Sequence, residues 1–101
     1  MTDYSLSDLG GGAFELHGRL DLSNVTEALA DGQNKFSPHD DVSIDLARSD
    51  CVGSAGMALL LEWSGWCNAN GKRLSYRNAP GDLVSLARLN DVEQLIRLSA
   101  T

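Results

Sequence analysis

Nucleophilic, acidic and imidazole side chains occur in this sequence, but their spacing matches none of the common catalytic or metal-binding motifs. The GxSxG nucleophile turn, the HExxH zinc helix, the EF-hand loop and the GxxxxGK[ST] phosphate loop are all absent. Gly71-Lys72-Arg73 comes nearest to a phosphate loop, but it follows the end of a predicted helix, whereas phosphate binds where a helix begins. We therefore expect a protein that is not an enzyme and holds no cofactor.

The cysteines and histidines offer no alternative chemistry. Cys51 and Cys67 are too far apart for a CxxC redox or zinc pair, and neither has a nearby histidine to complete a ligand set. We expect both to be buried or half-buried free thiols. His17 falls on the polar phase of a predicted strand, so we expect it to be solvated rather than catalytic, and His39 lies in a polar connection as a loop residue.

With catalytic and metal motifs excluded, the segment from Asp50 to Leu61 is the remaining candidate for a binding site. A predicted strand exits there into a helix that opens on the small residues 53–56. Small side chains expose the first backbone amides, and these amides attract an anion or a phosphoserine together with the positive end of the helix dipole. The alternative is that Ser54 only caps the helix and the glycines only permit a tight turn. Ser54 is thus the candidate regulatory or phosphorylation site.

The helix after Ser54 carries a second signal in the arrangement of its apolar residues. At about 100° per residue, one stripe is predicted to face the core: Met57, Leu60, Leu61, Ser64 and Cys67. Leu59, Trp63 and Trp66 fall on nearly the opposite side with Glu62, where a helix on a sheet normally meets solvent. Two outward tryptophans are typical of interface anchors, unless neighbouring helices of the domain cover them. The candidate partner-binding residues are therefore Gly53, Ser54, Ala55, Leu59, Glu62, Trp63 and Trp66.

Strand and helix patterns alternate along the chain and place this helix near its centre. Alternating residues around Gly10-Gly11-Gly12 predict a β-hairpin, and a helix follows, with Asn24 and Glu27 as a capping box, and fades near Gly32. The remaining predicted elements are a strand over 42–46, the helix over roughly 54–69, a strand over 74–77 and short helices over 82–88 and 91–98. Strands separated by helices usually pair in parallel. We expect one α/β domain over residues 1–101, in the order ββαβαβα, with a small, mixed, mostly parallel four-stranded sheet packed by helices.

Length, charge and hydropathy bound the class of protein. The chain of 101 residues has the size of one domain, and its longest apolar run, Met57 to Leu61, is far shorter than the roughly 20 residues of a membrane span. The N-terminus has an acid where a secretory signal carries basic residues, so we expect a cytoplasmic protein without direct membrane insertion. The net charge of −6 argues against a nucleic-acid partner and favours a protein with a basic face.

Two motifs and the order of the segments resemble the STAS domain, the family of bacterial anti-anti-sigma factors and transporter-associated regulators. The first motif, from Phe14 to Val25, is similar to the family's strand, glycine, leucine-aspartate turn and first helix. The second joins residues 42–46 to residues 50–61 and is similar to the central strand, regulatory loop and second helix. The likeness continues through 80–89 and so covers nearly the whole chain. No single motif decides it, but the ordered set is fairly specific.

The loop before the second helix departs from the family pattern. The family usually has aspartate, then serine or threonine, a small residue and glycine, and its hydroxyl residue is phosphorylated in sigma-factor regulation. Here Ser54 takes the hydroxyl position and Gly53 replaces the aspartate, which disfavours a kinase substrate. The small residues 53–56 followed by Met57-Ala58-Leu59-Leu60-Leu61 are more similar to the MlaB-type branch. That branch is the cytoplasmic STAS subunit of the phospholipid ABC transporter that maintains outer-membrane lipid asymmetry.

The resemblance implies two alternative functions. The first is a non-catalytic subunit, peripheral to the inner membrane through its partner, that binds and supports the ATPase subunit of the ABC transporter. Its contacts would be the Ser54 loop and the tryptophan face, since a constitutive subunit needs a permanently buried apolar face. The second is an anti-anti-sigma factor whose Ser54 is phosphorylated by an anti-sigma kinase, which adds a charge of about −1.5 to −2.

Overall fold

The chain folds into a β-sheet packed by three helices within the residues that the computed structural model describes. These are residues 4–51 and 53–89, with the side chains at 51, 53 and 54 left aside. In chain order the elements are β1 (Tyr4–Gly10), β2 (Ala13–Leu20), α1 (Val25–Phe36), β3 (Asp41–Asp45), β4 (Ser49–Cys51), α2 (Gly53–Ala69), β5 (Arg73–Arg77) and α3 (Gly81–Leu89). The predicted α/β order is confirmed over this range, and the helix predicted for 91–98 lies outside the described residues.

The sheet is mixed, with the strand order β1-β2-β3-β5 and β4 also paired with β2. The β1–β2 hairpin is antiparallel, and every other pairing is parallel. The sheet therefore has five strands instead of the predicted four, because β3 and β4 run along β2 one after the other. Ala13 lies opposite Ser43 but Gly18 lies opposite Ser49, so one additional residue is accommodated between the two pairings. Gly18 has a φ of 87° at this irregularity, a conformation that favours glycine.

One face of the sheet forms the core, because apolar and polar residues alternate along the strands. The buried side chains of the strands and helices join in a single cluster, whose strand members include Leu16, Ile44 and Tyr76. The opposite face carries polar side chains such as Ser43 and Arg77, which are half-buried or exposed. His17 lies among them, half-buried, and its Nε2 pairs with the carboxylate of Glu15. The helices therefore pack on one face, and the other face is polar.

Helix α1 differs from its prediction at both ends. It continues one turn beyond Gly32 to Phe36, because Gly32 serves close packing and does not end the helix. A Cβ at this position would overlap the indole ring of Trp63. The expected capping box does not form, since the Asn24 side chain makes no capping bond to the helix. Asn24 is buried and holds the preceding loop: its amide donates to the carbonyl of Arg19 at 2.8 Å, and its oxygen accepts from the backbone N–H of Asp21 at 3.0 Å.

Helix α2 has nearly the predicted bounds, but the side of the helix that faces outward differs in part from the predicted one. Leu59 and Trp63 are 1% and 0% exposed, so they do not face outward. The reason is that α2 contacts α1 on one side and α3 on the other, so it buries more of its circumference than a helix that touches only a sheet. Cys67 is a buried free thiol, as expected, and burial raises its pKa. Among the described residues, no helix has the length and apolar composition needed to cross a membrane.

Candidate functional site

The start of α2 lies at the carboxyl edge of the parallel strands. β4 ends at Cys51 and α2 begins at Gly53, beside the end of β2, where Leu20 pairs with Cys51. The loop from β2 to α1 leaves from the same edge. The first four N–H groups of any α-helix have no acceptor within the helix, so this end of α2 offers backbone donors next to that loop. The hydroxyl of Ser54 is not described, so its capping or regulatory role stays a prediction.

The outer face of α2 is formed by residues at helical spacing that the domain does not cover. Three are exposed and three half-buried: Ala58, Glu62 and Gly65, then Ala55, Leu61 and Trp66. Glu62 is the only charged residue among the 17 of the helix. A helix that packs on a sheet and faces water normally has a polar outer side. This face is instead small and apolar around one carboxylate, which is typical of a surface buried by another protein.

The structure brings some of the predicted partner-binding residues together and separates others. Ala55, Glu62 and Trp66 share the outer face, whereas Leu59 and Trp63 point into the domain. Trp66 packs its ring partly against the core and keeps part of it accessible. Ala58, Leu61 and Gly65 were missed by the sequence analysis. Ala58 and Gly65 lie four and three residues from Glu62, and Leu61 lies three residues after Ala58 and four before Gly65. This helical spacing would have indicated all three, had the burial of the Trp63 side by α1 been known.

Trp63 is a packing residue that joins α2 to α1. Its indole N–H donates to the backbone carbonyl of Leu29 at 3.3 Å. Its ring meets Phe36 edge to face, with centroids 5.4 Å apart and planes at 77°. Gly32 provides the space for this ring. Trp63 thereby sets how α2 lies against α1 and which residues of α2 remain outside.

The loops at the same edge are held by side-chain hydrogen bonds. The carboxylate of Asp21 accepts from the backbone N–H of Ser23 at 2.8 Å and from its hydroxyl, and the hydroxyl bond in particular lowers the pKa of Asp21. Asp45 accepts from the N–H of Ala47 at 2.9 Å and from the amide of Asn78 at 3.1 Å, and these bonds lower its pKa. Asn78 has a φ of 55°. Both carboxylates are therefore structural acceptors that shape loops.

The described part of the site contains no metal centre. Within residues 4–51 and 53–89, no three His, Cys, Asp or Glu side chains gather so that they would hold a metal ion. The arrangement around α2 combines backbone donors, rigid loops and an apolar helix face. Such a surface is suited to binding another protein.

Known proteins with the same fold are found among solved structures. The Bacillus cell fate determinant SpoIIAA in its phosphorylated form superposes with a TM-score of 0.69 and 14% identity, over 95% of this chain and 90% of that chain. The unphosphorylated anti-sigma factor antagonist SpoIIAA gives 0.67 and 14%, over 95% and 87%. The protein TM1081, solved by NMR, gives 0.75 and 11%, over 100% and 82%. At these identities the similarity shows the fold alone.

Sequence comparison adds the family. No curated protein sequence matches the chain. A family model described as "Mlab, STAS domain" matches residues 8–97, which is most of this chain. The chain therefore belongs to the STAS domain family described by that model.

Proposed function

We propose that this protein is a non-catalytic cytoplasmic STAS subunit that binds and supports the ATPase of an ABC transporter moving phospholipid for outer-membrane lipid asymmetry. The observation that carries the proposal is the outer face of α2, which is apolar and carries one charge. The chain also belongs to the STAS family whose model is described as "Mlab". In this role the protein lies at the inner membrane through its partner and does not insert into the bilayer. It contributes a binding surface, and the chemistry belongs to the ATPase.

The outer face of α2 has the properties of a subunit interface. Ala58 and Gly65 are exposed and small, so a partner backbone approaches the helix closely at these positions. Leu61 and Trp66 are half-buried and supply apolar area beside them. Glu62 lies between these two residues and pairs best with a basic residue of the partner. The net charge of −6 favours the same kind of partner. Burial of this face removes apolar surface from water and stabilises the complex.

Ser54 lies in the first turn of α2, the helix that carries this face. In the transporter function it contacts the ATPase or caps the helix. A bulky charged residue at this position then disrupts the complex, whereas Ser54→Ala is nearly silent.

The alternative function is an anti-anti-sigma factor in which an anti-sigma kinase phosphorylates Ser54. It is supported by the similarity of the fold to phosphorylated SpoIIAA and by the hydroxyl at the first turn of α2. Gly53 before it weighs against this alternative, because glycine offers neither the charge nor the hydrogen bond of the family's aspartate.

Affinity capture of the tagged protein from its own cells, with mass spectrometry, separates the two functions. The transporter function predicts co-purification of an ABC ATPase with its permease and an unmodified intact mass for this chain. The alternative predicts a kinase instead and a phosphorylated fraction at Ser54. If neither growth phase nor nutrient limitation yields an ATPase among the captured proteins, the transporter proposal is wrong.

A charge reversal tests whether the outer face of α2 makes the contact. Glu62→Lys places a cation opposite the expected basic surface, so capture of the ATPase is expected to fall by more than about tenfold. Asp40→Lys is the matched control, because it makes the same kind of charge reversal at an exposed position before β3, at the edge of the sheet opposite the start of α2. Equal capture by both variants would place the interface elsewhere.

A further inference from the structure

Leu22 is an exposed apolar side chain at the edge of the sheet where α2 begins. It is 86% exposed, and among the described residues the other large exposed apolar side chains are Leu9, at 59%, and Leu89, at 84%. Leu9 lies next to the β1–β2 turn, at the opposite end of β2, and Leu89 is the last residue of α3. A single exposed leucine is ordinary on a protein surface. The position of Leu22 and the rigidity of its loop distinguish it.

The register of the sheet places Leu22 beside the start of α2. Leu20 in β2 pairs with Cys51 in β4, and the two strands are parallel. Leu22 comes two residues after Leu20, and Gly53 likewise comes two residues after Cys51. Neighbouring strands lie about 4.8 Å apart, so the loop of Leu22 is adjacent to the first turn of α2. A partner that covers the start of α2 therefore also comes close to this loop.

Hydrogen bonds on both sides hold the backbone that carries Leu22. The side chain of Asn24 bonds to the carbonyl of Arg19 and to the N–H of Asp21, and Asn24 is only 4% exposed. The carbonyl of Asp21 accepts from the N–H groups of Asn24 and Val25 at 3.2 and 3.1 Å. The carboxylate of Asp21 accepts from Ser23. An apolar side chain on a loop that is already ordered loses little conformational entropy when it is buried by a partner.

From this arrangement we propose that Leu22 is a second anchor of the complex and inserts into an apolar pocket with a basic rim on the ATPase subunit. The inference rests on the function proposed above and extends its interface from α2 to the β2–α1 loop. The basic rim follows from the excess of acidic charge around the loop, since Asp21 and Glu27 outnumber Arg19, the one cation beside them among the described residues. The net charge of −6 has the same sign.

The test measures the affinity of the purified chain for the purified ATPase subunit. Leu22→Ala removes the anchor from a position that is exposed in the free protein, so its thermal unfolding should match that of the wild type. Its Kd is expected to rise by about 10- to 100-fold, as for the burial of one leucine side chain. Leu22→Met keeps an apolar side chain and is expected to restore most of the affinity. Leu9→Ala is the matched control and should bind as the wild type does.

The possible outcomes separate this inference from the function on which it rests. A higher Kd for Leu22→Ala, with unchanged unfolding and with rescue by methionine, supports the anchor. If Leu22→Ala binds like the wild type while Glu62→Lys binds weakly, the anchor is refuted and the proposed function stands. An equal loss of affinity for Leu9→Ala also refutes it, because the effect is then not specific to this edge. If the wild-type chain does not bind the ATPase, both proposals fail.

Discussion

The indole N–H of Trp63 in α2 donates to the backbone carbonyl of Leu29 in α1 at 3.3 Å. The same ring packs over Gly32 and against Phe36, so a side chain that the sequence placed on a partner-binding face is the main link between two helices. The outer face of α2 is what remains uncovered after this packing.

Replacement of Trp63 by alanine is therefore expected to destabilise the free protein. The change removes a fully buried ring and its hydrogen bond, for an expected loss of about 3–5 kcal/mol in the free energy of unfolding. Urea denaturation followed by circular dichroism measures this loss. Trp66→Ala is the comparison, since Trp66 is only half-buried and its loss should be clearly smaller. Equal losses for the two variants would contradict the packing described for α2.

Two glycines in helices are expected to respond oppositely to alanine. Gly32→Ala places a methyl group against the indole of Trp63, so we expect a destabilisation of about 1–3 kcal/mol. Gly65→Ala adds a methyl group in open space on α2, and it should stabilise the protein by roughly 0.5–1 kcal/mol through helix propensity. Chemical denaturation of the two variants beside the wild type gives both values. A stabilising Gly32→Ala would show that the ring and the glycine are not in contact.

Ser64 carries a hydroxyl oxygen that is buried in α2 without a hydrogen-bond partner. The neighbouring acceptor, the carbonyl of Leu60, already accepts from the hydroxyl of Tyr76 at 2.8 Å. Removal of an unpartnered buried hydroxyl relieves its desolvation, so Ser64→Ala is expected to stabilise the protein by about 1 kcal/mol. Tyr76→Phe is the contrasting variant, because it removes a bond that is made, and it should cost about 1 kcal/mol. The midpoint of thermal unfolding reports both changes, and a lower midpoint for Ser64→Ala would count against the buried, unpartnered hydroxyl.

The lowered pKa of Asp45 predicts that the stability of the protein depends on pH. The N–H of Ala47 and the amide of Asn78 lower its pKa below the ordinary value of 3.8. A carboxyl group whose pKa is lower in the folded state stabilises that state above the ordinary pKa, and the stabilisation is lost as the pH falls through the folded pKa. Asp45→Ala should therefore be less stable than the wild type at pH 6.

The same comparison at lower pH completes the test of Asp45. Urea denaturation at a series of pH values should show the difference between the two proteins narrowing once the pH falls below 3.8. Asp40→Ala provides a control at an exposed carboxylate before β3. A difference that stays constant from pH 6 to acid would mean that the charge of Asp45 contributes nothing.

Much of the fold follows from the sequence because its strands alternate clearly. The polar and apolar residues of β2, β3 and β5 alternate, and the resulting α/β order is confirmed in the described residues. The loop residues Gly53 and Ser54 were located at the start of α2 from small residues after a strand. Local patterns suffice here, since a strand with one buried face can adopt only one register without exposing its core residues.

The orientation of α2 was decided only by the tertiary structure. Apolar residues occur on every side of the helix and Glu62 is its only charged residue, so its periodicity does not distinguish the side that α1 covers from the side that stays outside. The contact of Trp63 with α1 resolves that choice, and it depends on Gly32, which local patterns interpret as the end of a helix. Asn24 is a second example. Asparagine is a common residue at helix N-caps, but here its buried side chain bonds to Arg19 and Asp21 and holds the loop before the helix. Sequence alone thus indicated the family, most of the elements and the candidate binding segment, whereas packing between elements distant in the chain determined which side chains of α2 remain uncovered.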